Sequence, residues 1–258
     1  MSRKRVPTRA PRGAEIHMDV ERMHDVFDKA GATLDQATQT ERLIMAFDLA
    51  DVALRAAQRG DPLSVFSWRY GTEELQTALT EGLQRFVLAG RRQVAEELQR
   101  QRDAATGSKL AEPLPPAQLP DPDSIAPAAA AALGIGAFVA GAMREAGFAA
   151  ITAKAGPPAT AAVLEPVISA AGLAALLRWS VGVHELVSLG RAQEAQARKG
   201  EIEDAVYSAL LDGNTCEACE AMDGLTTTDL AEASGWTPHP DCAGGSRCRC
   251  VTVYEIRQ

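Results

Sequence analysis

The first 215 residues of this 258-residue chain contain no cysteine, which excludes a disulfide framework spread over the fold. Aromatic residues make up only 5% of the chain. A core without many large rings is built from small and aliphatic side chains, and that favours close helix packing over a β-sandwich. Positive charge is also short: 26 Lys and Arg stand against 34 Asp and Glu, a net charge of −8. Unspecific attraction of the whole chain to nucleic acid is therefore excluded, and any phosphate contact has to be local. No apolar run of signal-peptide type follows the basic start MSRKRVPTRAPR, so the expected origin is a reducing cytoplasm. No internal repeat is evident. What is present, 46% hydrophobic and 23% charged residues, excludes a disordered tail or a short disulfide-stapled peptide and calls for one or two folded domains.

The chain divides by composition. Residues 1–14 read as a basic disordered arm, with Arg3, Lys4, Arg5, Arg9 and Arg12 interrupted by Pro7 and Pro11. Residues 15–102 read as a helical N-terminal domain. Leu43, Phe47, Ala50 and Leu54 recur at helical steps, and Leu75, Leu79, Leu83, Phe86, Val94 and Leu98 draw one apolar stripe on a longer helix. Thr72, followed by Glu73 and Glu74, suits a capped start to that helix. Residues 103–127, with six prolines, read as a linker. From 128 onward, Ala- and Gly-rich helices lead towards the C-terminus, the last of them running from about Leu176 through His184 to Val206 with a break near Gly190 or Gly200. The 19 residues from Ile125 to Met143 carry no charge, a length close to that of a bilayer span. They are mostly alanine, however, which gains little from lipid, and Arg144 and Glu145 follow at once. A small-residue helical core is the reading preferred, and a membrane partner is not expected.

The cysteines are the most informative residues. Cys216, Cys219, Cys242, Cys248 and Cys250 all fall within 35 residues, an odd and clustered set that suits a metal site better than disulfides. Cys216 and Cys219 form a C-x-x-C pair, whose sulfurs can converge on one ion from a tight turn. His239, Cys242, Cys248 and Cys250 supply a second group, and Gly244 and Gly245 let the chain reverse between them. Six candidates compete for the four places of structural zinc. A redox dithiol and unliganded thiols or disulfides are the alternatives, but no thioredoxin-like βαβ pattern surrounds the pair. The module, residues 207–258, also has turn signals at Asp212-Gly213 and Asp223-Gly224 and a terminal strand through Val251, Val253, Tyr254 and Ile256. From Asp212 onward it holds eight acids and three arginines, Arg247, Arg249 and Arg257. Phosphate would be repelled, so the charge favours a structural or protein-binding module over a DNA-reading finger. A site with surplus thiolates leaves no open position for water, which disfavours catalytic zinc. His17, His24 and His184 have no nucleophile motif near them and read as surface or satisfied core histidines.

The run GRAQEAQARKGEIEDAVYSALLDGNTCEACEAMDG, followed by HPDCAGGSRCRC, resembles the C-terminal domain of phage head-morphogenesis proteins, the phage Mu F-like minor head protein family. The resemblance covers about residues 176–256. It rests on Asp212, Cys216, Cys219, Asp223, Gly224, His239, Pro240, Cys242, Cys248 and Cys250. Here Ala243 to Arg247 stand between Cys242 and Cys248, a departure that leaves open whether His239 or Cys242 fills the matching ligand place. The resemblance implies a non-enzymatic minor head protein of a tailed bacteriophage or prophage, made in the bacterial cytoplasm and carried in the virion near the portal. Its implied partners are the portal or major capsid protein, with packaged DNA as a contact for the basic arm. A zinc-dependent nucleic-acid-binding accessory protein and a membrane-active protein delivered with the genome are the competing readings. The expected fold is mainly α, with helical N-terminal and middle regions and a small zinc-stabilised α+β C-terminal module containing short antiparallel strands.

Overall fold

The computed structural model describes residues 26, 29–107, 121–153, 160–179, 182–209, 215–245, 248 and 250–257. The basic arm, His17, His24, the Asp212-Gly213 turn, Arg247 and Arg249 lie outside these residues. In chain order the described elements are α1 (Ala30–Gln58), a 3-10 turn (Pro62–Ser67), α2 (Thr72–Thr106), α3 (Asp121–Thr152), α4 (Ala161–Trp179) and α5 (Val183–Ala197). They are followed by β1 (Ile202–Ser208), α6 (Glu217–Met222), β2 (Thr226–Thr227), α7 (Leu230–Ser234) and β3 (Val251–Ile256). The fold is mainly helical and closes on a small α+β module.

Several local expectations change. In α1 the buried face runs through Leu34, Met45, Leu49 and Ala53, while Leu43 and Phe47 are exposed. Ala46, Ala50, Ala53 and Ala56 are buried with them and allow close approach, so of the expected stripe Ala50 faces inward while Leu43 and Phe47 do not. All six residues of the α2 stripe are buried. Thr72 starts α2, but its hydroxyl donates to the Arg69 carbonyl instead of capping free N–H groups. The proline-rich stretch is shorter than 103–127, because α2 runs on to Thr106 and α3 begins at Asp121. Pro122 sits in the first turn, where its missing N–H has no partner to lose. Pro127 lies inside α3 and gives up one backbone hydrogen bond. Neither Gly190 nor Gly200 breaks a helix: α5 continues through Gly190, and the chain has already entered β1 by Ile202.

Two compact units result, and they do not follow sequence order. One comprises Lys29–Leu83 and Ile125–Ser180, the other Gln84–Ser124 and Val181–Gln258 within the described residues. In the first, α1, the start of α2, α3 and α4 pack through Leu34, Leu75, Leu79, Val139, Met143, Leu164 and Ile168, all buried. Trp68 donates its indole N–H to Asp48 at 2.6 Å, and Arg144 donates to the Trp68 carbonyl at 3.1 Å. Both α3 and α4 are long and apolar enough to cross a membrane, with mean hydropathy 1.8 and 1.6, yet only 33% and 28% of those windows are buried. Leu133, Phe138, Val163, Val167, Leu177 and Trp179 are exposed. The Ala-rich segment is thus core along one face and uncovered apolar surface along the other.

In the second unit, α2 and α5 cross with their backbones in contact. A Cβ on Gly90 would stand 2.0 Å from the Val187 carbonyl oxygen, and one on Gly190 would stand 1.9 Å from that of Val87. Only glycine permits that approach. It brings charged side chains of the two helices into the interior. Arg191 donates to both Glu97 carboxylate oxygens at 2.9 and 2.8 Å and to the Thr252 carbonyl at 2.7 Å. Glu194, fully buried, accepts from Arg91 at 3.2 Å and Arg198 at 2.6 Å. The sheet has strand order β2-β1-β3, all antiparallel, with Ala205 opposite Thr227 and Tyr254. The outer edge of β3 is covered by Gln101, which donates to the Tyr254 carbonyl at 2.7 Å and accepts from the Ile256 N–H at 2.8 Å. An edge strand covered in this way offers no open ladder to another chain.

Candidate metal centre

All five cysteines gather beside this sheet, packed with Tyr207 of β1 and Tyr254 of β3. Cys216 precedes α6 and Cys219 lies within it, so that a single helical turn brings the two sulfurs together. The strand–helix connection is pinned by Asp223, whose carboxylate accepts the Ala209 N–H at 2.9 Å. Gly224, at φ 84°, lets its own N–H reach the Tyr207 carbonyl. The second group comes from a tightly wound loop: Cys242 N–H bonds the His239 carbonyl, Gly245 N–H bonds Cys242, and Cys248 N–H bonds Gly245. Gly245 takes φ 52°, in the left-handed region that favours glycine. Cys248 and Cys250 then lead directly into β3.

The sulfurs form two triangles with a common corner. Cys216, Cys219 and Cys242 lie within 4.8 Å of one another, and so do Cys219, Cys248 and Cys250. Cys216 and Cys242 are 3.8 Å apart, Cys219 and Cys248 3.9 Å. No disulfide joins the described cysteines. Cys219, Cys248 and Cys250 are buried, and Cys216 and Cys242 half-buried, within a core that includes Tyr207, Trp236, Ala233, Leu98 and Tyr254. The donor set is entirely sulfur, which suits a soft or borderline ion such as zinc and not a hard one such as magnesium.

The polar surroundings favour anionic sulfur at two places. Backbone N–H groups of Cys219 and Ala243 point at the Cys216 sulfur and hold its thiol down to about 7. Cys248 is held at about 4 by the Cys250 side chain and by backbone N–H groups of His239 and Cys250, against the opposing effect of burial. Burial pushes Cys219 up to about 12 and raises Cys242. Cys250 is raised by its contact with Cys248 and by burial. A metal ion reverses this logic, because a coordinated thiol is deprotonated outright.

Of the six candidates read from the sequence, the five cysteines come together, while His239 belongs to neither sulfur group. Its ring Nδ1 accepts the Asp241 N–H at 3.1 Å, and its ring packs edge-on to Tyr207 at 6.1 Å. Two further residues, neither tied to the cysteines by the sequence, border the site. The Tyr207 hydroxyl, buried and without a nitrogen or oxygen partner, faces the sulfurs of Cys219 and Cys250. His184 is a core histidine, buried between Ser188 and the Cys250 carbonyl, and burial holds it neutral down to about 4. Both come from elements outside the cysteine loops, α5 and β1, and only folding brings them to the sulfurs. Comparison with family models, with curated proteins and with solved structures finds no match to this chain.

Proposed function

We propose that this chain is a non-catalytic assembly protein of a tailed-phage or prophage head, acting at the portal or capsid interior and carried in the virion, with its C-terminal module held by structural zinc. The observation that carries the metal part is the convergence of five free thiols, two pairs of which stand 3.8 and 3.9 Å apart. With zinc–sulfur bonds of about 2.3 Å, the edge of a tetrahedral tetrathiolate is about 3.8 Å. Zinc there supplies stability, replacing a core that so small a module cannot assemble from its own large side chains. A coordination shell closed by sulfur leaves no place for a reacting water, which supports a structural role. The head-assembly part rests on the resemblance of residues 176–256 to the Mu F-like family.

Two experiments test the two parts. Elemental analysis of the chain purified under reducing conditions is expected to find one zinc per chain; a metal-free chain with intact folding overturns the zinc reading. Co-expressed with the portal and major capsid proteins of its own genome, the chain is expected to co-sediment with assembled particles. Particles that form normally while the chain stays at the top of the gradient overturn the assembly reading. Salt-sensitive DNA binding by the full chain, in the absence of particles, favours the nucleic-acid reading instead.

A further inference from the structure

We propose that the metal is held by Cys216, Cys219, Cys242 and Cys248, and that Cys250 and the Tyr207 hydroxyl stand behind them as hydrogen-bond donors to the bound sulfurs. This assignment rests on the zinc reading above and selects among its six candidate ligands.

Three observations lead to it. The pairs Cys216–Cys242 and Cys219–Cys248, at 3.8 and 3.9 Å, share no residue. In a tetrahedron formed by these four sulfurs they are opposite edges, and both already have the length a tetrathiolate needs. Second, Cys248 stands 3.9 Å from Cys219, the corner common to both triangles, and interacts with Cys242 of the other triangle. Cys250 adjoins Cys219, Cys248 and Tyr207, and neither Cys216 nor Cys242 is among its main neighbours. Third, backbone N–H groups converge on three of the four chosen sulfurs. Cys216 receives those of Cys219 and Ala243, Cys242 that of Gly244 at 3.4 Å, and Cys248 those of His239 and Cys250. Such bonds spread the charge that four thiolates leave on one divalent ion. Cys250 is flanked by the Cys248 and Cys219 sulfurs and by the Tyr207 hydroxyl.

The Cys219 sulfur adjoins the Tyr207 hydroxyl. The hydroxyl comes from the middle of the sheet, is buried, and has no nitrogen or oxygen partner. An unpartnered buried donor is costly, and a metal-bound sulfur is the acceptor that satisfies it. His239 contributes through its backbone N–H to Cys248, while its ring nitrogen is engaged with Asp241.

The test uses the full-length chain loaded with zinc, and with cobalt as a spectroscopic replacement. X-ray absorption on the zinc form is expected to show four sulfur neighbours and no imidazole; a three-sulfur, one-nitrogen shell overturns the assignment. Cys250→Ser and His239→Ala are expected to keep one metal per chain and the tetrathiolate charge-transfer spectrum of the cobalt form. Cys248→Ser and Cys242→Ser are expected to lose a quarter of that intensity or the metal altogether. Loss of metal in Cys250→Ser with retention in Cys248→Ser reverses the roles and sinks the proposal. Tyr207→Phe is expected to keep the four-sulfur spectrum while weakening zinc about 10-fold against a chromophoric chelator; unchanged affinity removes Tyr207 from the set. A wild-type chain that binds no metal defeats the zinc reading itself, an outcome distinct from all of these.

Discussion

The two compact units solve the problem of a core poor in aromatics in opposite ways. The unit of α1, α3, α4 and the start of α2 relies on small and aliphatic side chains and leaves much of its apolar surface uncovered. The unit of α5, the sheet and the rest of α2 buries charge and sulfur: Glu97, Arg191 and Glu194 are each less than 5% exposed. Apolar contacts are non-directional, so a helix pair built from alanine and leucine tolerates sliding and substitution. Buried ion pairs and thiol groups are directional and hold one geometry, with heavy penalties when a partner is removed. The second unit is therefore expected to be the less forgiving of the two.

The largest break in that comparison should come from the metal. On the proposed zinc reading, a strong chelator is expected to unfold the Cys module, removing on the order of 10 kcal/mol of binding free energy, while the helical unit keeps its circular dichroism. Next, Glu97→Ala leaves the Arg191 guanidinium buried without its carboxylate and is expected to cost about 3–5 kcal/mol in urea unfolding. The exposed pair Arg55–Asp51, with side chains 55% and 53% accessible, offers the control: Asp51→Ala is expected to cost about 0.5 kcal/mol or less. Third, one substitution should change sign between the units. Gly190→Ala drives a methyl group into the Val87 backbone and is expected to cost about 3 kcal/mol. Gly134→Ala meets nothing within 4 Å and is expected to stabilise by about 0.5–1 kcal/mol. The smallest effect concerns the uncovered apolar face. Leu133→Lys with Phe138→Lys is expected to lower binding of a hydrophobic dye with little change in helicity.

Legibility followed the same division. In the helical unit the elements could be read, since a 3.6-residue period survives any tertiary context, as the buried Leu75, Leu79 and Leu83 of α2 show. The inward face of α1 differs from the leucine and phenylalanine pattern, because alanines count as weakly apolar in a pattern yet allow the closest packing in a fold. α3 starts at Asp121, with Pro122 in its first turn, where proline does not stop a helix, and continues through Pro127. In the other unit the cysteine set and the terminal strand stood out by spacing, but nothing marked Glu97, Arg191 or Glu194 as buried. Charged residues on a helix read as a solvated face until a second helix comes close enough to cover them.

By itself, the order of residues determined a mainly helical chain, a thiol-rich terminal module and the absence of a disulfide scaffold, because periodicity and local spacing act over a few residues at a time. Tertiary structure alone decided that Gly90 and Gly190 meet, that Glu97 and Arg191 pair across 94 positions, and that Tyr207 rather than His239 faces the sulfurs. Those contacts depend on how separate elements cross, and a side chain's environment is set by the element that packs against it.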